Sequence, residues 1–320
     1  MKAILVHRFG GPEVLQLEEA ATPKPEAGQV LVRVRAAGVN PYDTYMRGGT
    51  YAIKPPLPYT PGSDAAGVVE ALGNGVSKVK VGDRVYTAKT LTGAYAEYTL
   101  ALDSQVHPLP EKISFSQGAG VWVPYGTAYF GLFHSARTRA AETVLVHGAS
   151  GGVGTAALQV ARAMGTTVFG TAGSAKGLEL VKREGAHQAF DHTKAGYTDD
   201  ILRATGGRGV DVILEMLANV NLATDTKLLA TNGRVIVIGN RGEVTINARE
   251  LMMRRASIRG FTLWAITEAE AADIYAGIGA GLENGTLRPV VGKELPLGEA
   301  ARAHKEILEP GASGKVVLLP

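Results

Sequence analysis

The run Val144-Leu145-Val146-His147-Gly148-Ala149-Ser150-Gly151-Gly152-Val153-Gly154 limits what this chain can fold into more than any other stretch. An apolar strand ends in a glycine-rich turn, and the small residues from Thr155 to Met164 then read as a helix. That order aims main-chain N–H groups and the positive end of a helix at a pyrophosphate. The spacing Ala149-x-Gly151-x-x-Gly154 is a dinucleotide fingerprint with Ala in the first glycine slot. A glycine-rich turn also occurs without a ligand, because Gly reaches positive φ freely. The context decides for nucleotide binding: a strand precedes, a helix follows, and more strand–helix units lie downstream.

The choice of nucleotide follows from a missing residue. NAD-selective sites carry Asp or Glu about 20 residues past the glycines, at the end of the second strand, to bind ribose hydroxyls. Here that strand, Thr166 to Ala172, leads into Gly173-Ser174-Ala175-Lys176, with no carboxylate in the slot. A carboxylate would repel a 2′-phosphate, whereas the Ser174 hydroxyl and the Lys176 ammonium attract one. NADPH is therefore expected over NADH. For Lys176 alone, a solvated lysine at a helix start is the plain alternative.

Length and composition narrow the class. The 320 residues suit two domains, and 45% hydrophobic with 20% charged residues is a globular balance. A net charge of +3 is too small to argue for nucleic acid or a membrane surface. No apolar run approaches the roughly 20 residues that span a bilayer. The start, Met1-Lys2-Ala3-Ile4-Leu5-Val6, lacks a signal-peptide pattern, so a cytoplasmic protein is expected. With no cysteine, disulfides and thiolate metal sites are excluded.

Residues up to about 124 read as mostly β, with strands at Lys2–His7, Val30–Arg35, Ala65–Leu72 and Ala94–Leu100 between Gly/Pro/Asp turns. Ser116 to Ser135 turns helical. From Glu142 strands alternate with helices: Thr143–His147, Thr167–Thr171, Gln188–Phe190, Val210–Glu215 and Arg234–Gly239 are strand candidates. Ser174–Glu184, Asn221–Thr231 and Glu268–Glu283 are helix candidates. Such alternation predicts an α/β fold, a doubly wound parallel sheet with helices on both faces. The strand-like tail, Gly314–Leu319, is expected to return to the first domain.

Taken together, several landmarks resemble the zinc-independent, zeta-crystallin-like quinone oxidoreductases of the medium-chain dehydrogenase/reductase superfamily. They are Phe9-Gly10-Gly11-Pro12-Glu13-Val14-Leu15, Gly38-Val39-Asn40-Pro41, Leu57-Pro58-Tyr59-Thr60-Pro61-Gly62-Ser63-Asp64, the glycine run above, Glu215 to Leu222, and Gly314-Lys315. The resemblance implies a chaperonin-10-like (GroES-like) domain over 1–124 and 266–320 and a Rossmann NADP-binding domain over 125–265. It implies cofactor contacts from Ser150, Gly151, Gly152 and Val153, and from Gly173 and His192 at the adenosine end. Asn221, Ile238, Gly239, Asn240, Arg241, Phe261, Thr262 and Leu263 match positions near the rest of the cofactor, and Tyr45 matches one from the first domain. Asn240 departs from the serine usual in its slot. The resemblance further implies a homodimer or homotetramer, with Val235 to Arg259 as the dimer edge. It also carries an association with AU-rich RNA, for which this charge pattern offers no support.

Zinc-dependent relatives hold the metal with Cys and His, and show a His-Glu pair where this chain has Ser63-Asp64. The seven histidines show no paired spacing, and His147 reads as a buried, hydrogen-bonded residue. No catalytic zinc is expected. The nicotinamide then carries the chemistry and the protein supplies placement. Asn40, Tyr45 and Tyr51 are the catalytic candidates: an amide donor, and two phenols with ring faces for a flat substrate and hydroxyls for a developing phenolate. The expected reaction is NADPH-dependent reduction of quinones such as ortho-quinones. Reduction of 2-alkenals or enones shares the cofactor geometry and is the competing enzyme reading. A structural, crystallin-like role belongs to another class again.

Overall fold

A computed structural model of the chain describes residues 1–311 and 313–320. It divides into two compact units, the first built from Met1–Val123, Arg288–Pro310 and Gly314–Pro320, the second from Pro124–Leu287.

In the first unit the chain forms β1 (Lys2–Leu5), β2 (Gln16–Glu19), β3 (Gln29–Val39), helix α1 (Pro41–Arg47), β4 (Asp64–Leu72), β5 (Arg84–Thr87), β6 (Tyr98–Leu102), β7 (Val106–Pro108) and the single turn α2 (Phe115–Gly118). The long β3 organises it. Val30 and Val32 pack with Val69, Val85, Ala101 and Val106, while Val34, Ala37 and Val39 pack with Ile4, Val6 and Leu318. Arg33 stays exposed and pairs with Glu70. This is the period-2 pattern of a strand that lines a core.

The second unit opens with α3 (Trp122–Tyr129), whose first two residues still belong to the first, and a π-helical stretch Phe130–Ser135. Then come β8 (Thr143–Val146), α4 (Gly152–Ala163), β9 (Thr167–Ala172), α5 (Ala175–Arg183), β10 (Gln188–Asp191), α6 (Tyr197–Ala204), β11 (Val210–Glu215), α7 (Ala218–Leu228), β12 (Leu229–Val237), α8 (Ala248–Arg254), β13 (Ser257–Gly260) and α9 (Glu268–Asn284). Its six strands lie in the order β10-β9-β8-β11-β12-β13, all parallel. The chain winds outward from β8 one way, then from β11 the other, so the switch point falls between these two strands. All four residues of β8 are buried, as expected of a strand covered on both faces.

Back in the first unit, β14 (Val291–Pro296), α10 (Ala300–Glu306) and β15 (Lys315–Leu319) complete the chain. β15 runs antiparallel to β3, with Val316 opposite Val39, and carries β14 on its other side.

One helix was not anticipated, and three details differ from the sequence expectation. The segment after Asn40 is helix α1, started by Pro41, whose fixed φ suits a first helical position. Helix α4 begins at Gly152, inside the glycine motif. The fifth strand of the second unit is Leu229–Val237, ending before Gly239. Helix α9 belongs to the second unit, which reaches Leu287 and not 265, because Ile274, Ile278 and Leu282 are buried and Gly277 sits against Tyr129. Among the described residues, no helix is long and apolar enough to cross a membrane.

Candidate active site

The glycine turn explains its own departure from the fingerprint. The left-handed residue is Gly148, at φ +56, one position before the first glycine slot. Ala149 therefore needs no positive φ, and its methyl packs where a Cβ on Gly170 would come within 2.8 Å. Gly154 is required by closeness: a Cβ there would lie 2.4 Å from the Gly148 carbonyl oxygen. Gly151 precedes α4 in extended conformation without a side-chain cap, and Thr155 is the first donor into the helix, to the Gly151 carbonyl at 2.9 Å. The N–H groups of Gly152 and Val153 thus point out of the helix start, where the dipole is positive.

Beside this turn stand the residues after β9. Ser174 Oγ accepts from the Gly177 N–H at 3.1 Å, capping α5. A Cβ on Gly177 would be 3.3 Å from Ser150 Oγ and 3.1 Å from Ser174 Oγ, so the two hydroxyls are neighbours. Ser174 spends an oxygen lone pair on the cap, which leaves its O–H for a ligand. Lys176 is exposed on the first turn of α5. A Cβ on Gly173 would be 2.7 Å from His192 Nε2, which brings these two candidates together. Partial desolvation, with His147 behind it, lowers the His192 pKa.

The third group gathers at the ends of β11 and β12. The Glu215 carbonyl accepts from Ile238 N at 2.9 Å and Gly239 N at 3.2 Å, and Ala218 N donates to the Gly239 carbonyl at 2.9 Å. A Cβ on Gly239 would lie 2.2 Å from the Met216 carbonyl oxygen, so only glycine fits this crossing. Asn221 donates to Glu215 Oε1 at 3.1 Å, Asn240 to the Gly242 carbonyl at 2.7 Å, and Arg241 N to Asn219 Oδ1 at 3.0 Å. Past β13, the Phe261 ring lies 4.7 Å from that of Phe130 on the π-helical stretch, Thr262 is exposed and Leu263 is half-buried. All three groups sit at the carboxyl ends of the parallel strands, where such sheets bind ligands.

Asn40, Tyr45 and Tyr51 lie in the first unit. Asn40 is buried, and its side chain is committed: Nδ2 donates to Asp64 Oδ2 at 3.0 Å and Oδ1 accepts from Lys315 Nζ at 2.5 Å. Lys315 Nζ also donates to Asp64 Oδ2 at 2.8 Å, while Asp64 Oδ1 accepts from Val123 N at 3.1 Å. Asn40 thus joins a buried ion pair and keeps one amide N–H hydrogen for donation. Tyr45, on the last turn of α1, and Tyr51, just past it, are half-buried. Tyr42, which the sequence reading passed over, puts its ring 6.0 Å from that of Tyr51 and its hydroxyl in contact with Ser63 Oγ. Burial raises the Tyr42 pKa. Ser63 and Asp64, in the slot of the zinc relatives' His-Glu pair, are thus engaged with Tyr42 and Lys315.

Among the described residues, one His/Asp/Glu group has its ligand atoms within 4.8 Å of one another: His147, Glu215 and Asp225, all buried. His147 is hydrogen-bonded, as the sequence reading has it, but its carboxylate partners were missed. Charged residues at the ends of apolar runs, Glu215 after Val210-Asp211-Val212-Ile213-Leu214 and Lys315 before Val316-Val317-Leu318, were the available signal.

Comparison with known proteins follows the same lines. Residues 26–111 match the family model described as the alcohol dehydrogenase GroES-like domain, and 152–276 match that of zinc-binding dehydrogenase. The chain is 53% identical over 321 residues to the quinone oxidoreductase of Sus scrofa, covering all of this chain and 98% of that protein. Escherichia coli quinone oxidoreductase complexed with NADPH superposes with a TM-score of 0.89 at 30% identity, each chain covered in full. An NAD-dependent alcohol dehydrogenase superposes at 0.94 with 31% identity, again over the full length of both chains. The fold alone therefore does not choose the cofactor; the residues after β9 must.

Proposed function

The chain belongs to the quinone oxidoreductase family of the medium-chain dehydrogenase/reductases, and from that premise we infer an NADPH-dependent reductase of quinones. The observation that carries the cofactor choice is the end of β9, where Gly173, Ser174 and Lys176 stand in place of an acid, with His192 beside them. The uncapped start of α4 suits the pyrophosphate, and the close crossing of Gly239 on the Met216 main chain fixes the segment Ile238 to Arg241 at the carboxyl end of the sheet. Bound there, the dihydronicotinamide supplies hydride to the acceptor.

The chain's own residues bind and orient. Ser150, Gly151, Gly152 and Val153 cradle the pyrophosphate, and Asn221, Ile238 to Arg241 and Phe261 to Leu263 hold the remainder. Ser174, Lys176 and His192 neutralise the 2′-phosphate. Tyr45 and Tyr51 present ring faces and hydroxyls to a flat acceptor such as an ortho-quinone, and a phenol O–H stabilises the developing phenolate. Asn40, held by Asp64 and Lys315, fixes the start of α1 on which Tyr45 rides. Residence in the cytoplasm and a homo-oligomer complete the reading. Supporting the latter, β13 ends the strand order, and Met252 and Met253 on α8, which precedes it in the chain, are 76% and 74% exposed.

Anaerobic steady-state kinetics test it, with NADPH or NADH against an ortho-quinone and a 2-alkenal. NADPH with the quinone should be the fastest pair, and Tyr45→Phe should slow it about tenfold or more. Faster turnover of the 2-alkenal would move the assignment to enone reduction. No NADPH binding by calorimetry would remove the oxidoreductase reading.

A further inference from the structure

Three ionisable side chains that the reaction does not use meet beneath the strand ends of the second unit. His147 follows β8, Glu215 closes β11 and Asp225 lies on α7, with side chains 3%, 0% and 1% exposed. His147 Nε2 is 2.9 Å from Asp225 Oδ1 and 3.8 Å from Glu215 Oε2, and its Nδ1 is 3.2 Å from Thr171 Oγ1 on β9. Thr171 Oγ1 in turn accepts from Gly148 N at 3.3 Å, so the imidazole is tied to the glycine turn. Glu215 Oε1 holds the other side: it accepts from the Leu217 N–H and from Asn221 Nδ2.

Two atoms are left over. Glu215 Oε2 and Asp225 Oδ2 are buried without a donor. Two bare carboxylates in such an interior carry a penalty that an imidazolium offsets only in part. One proton shared between the two carboxyl groups satisfies both oxygens and removes a charge. A divalent cation would do the same, but it would displace the proton from the His147–Asp225 contact, which stands at hydrogen-bond length.

We propose that Glu215, protonated and bridged to Asp225, forms with His147 a positioning triad that sets the cofactor-facing turns, so that NADPH affinity depends on one buried proton. The proposal rests on the NADPH reading above. Burial raises the Glu215 carboxyl from 4.5 to about 7, with the His147 charge opposing and Asp225 adding to it. Burial lowers His147, and its bond and charge contact with Asp225 more than offset this to leave it raised. The other titratable groups facing the triad are His192, past β10, and Tyr197 on α6.

The test compares Glu215→Gln with Glu215→Ala. Glutamine keeps an oxygen for Leu217 and Asn221 and sets an N–H where the proposed proton faces Asp225. NADPH dissociation constants are measured by calorimetry from about pH 6 to about pH 9, spanning the Glu215 transition. Wild type should bind progressively more weakly as pH rises through about 7, as the triad loses its proton. E215Q should match wild type at the acid end and stay tighter at the alkaline end. E215A should bind about tenfold or more weakly throughout, with kcat at saturating NADPH little changed. An E215Q protein as weak as E215A, or unable to fold, would overturn the triad. So would a wild-type profile parallel to that of E215Q, or a stoichiometric divalent metal in protein purified without chelator. Wild type that binds no NADPH at any pH would instead sink the cofactor reading.

Discussion

Lys315 places one ammonium between Asn40 Oδ1 and Asp64 Oδ2, with Asp64 1% exposed and Lys315 3%. Gly38 makes the room, since a Cβ there would meet Lys315 Cε at 2.6 Å and the Ala119 carbonyl oxygen at 2.1 Å. Removing one partner of a buried pair strands the other charge, which typically destabilises by about 3–5 kcal/mol. Lys315→Met should therefore shift urea unfolding by that order, and adding Asp64→Asn should recover part of it. An unchanged midpoint for the single variant would show that the pair contributes nothing. At Gly239 the expected effect is on binding. Ala must displace the Met216 carbonyl, so NADPH affinity should fall about tenfold, read by calorimetry. His192, neutral because partial desolvation lowers it, should take up a proton when a 2′-phosphate arrives. His192→Ala should then weaken NADPH more than NADH, and equal losses for both would place the 2′-phosphate elsewhere.

At the scale of elements, α1 is held by a chain of oriented bonds. Arg47 has only donors, so its NH1, 3.3 Å from His304 Nδ1, makes that nitrogen the acceptor. His304 Nε2–H then donates to the Tyr95 hydroxyl at 3.1 Å, and Tyr95 donates to Asp43 Oδ2 at 3.1 Å. Asp43 Oδ2 also accepts from Asn40 N at 2.8 Å, closing the first turn of α1. Burial raises the Asp43 carboxyl from 3.8 to about 7. Its stability contribution is therefore complete below the unfolded value and lost as pH rises through about 7. Asp43→Asn keeps one oxygen for both donors and cannot ionise. Relative to wild type it should gain about 2–4 kcal/mol between acid and neutral pH, followed by urea midpoints. A constant difference across that range would mean the carboxyl stays ionised. None of this network was visible in the sequence, and Pro41 to Arg47 gave no helix signal there: seven residues are too short for a hydrophobic period to show.

Over the whole molecule, acid should act through the opposite set of groups. Burial, then Arg47, pushes His304 down to about 3, and burial, then Lys78, pushes His107 down to about 4. Both contribute stability above the ordinary histidine value and lose it as pH falls through their folded values. His304→Gln should flatten the acid limb of the stability profile, and an unaltered limb would assign acid unfolding to other groups. Local order along the chain was enough to determine the strand–helix alternation, the glycine turn, the missing acid after β9 and the absence of thiol ligands. Each of these is carried by neighbours in sequence, through side-chain period, backbone freedom or plain composition. Tertiary structure alone decided that Lys315 meets Asn40 and Asp64, that Glu215 and Asp225 flank His147, and that α9 joins the second unit. Those contacts join residues 68 to 275 positions apart, and the burial that gives them their energy exists only once the strands are packed.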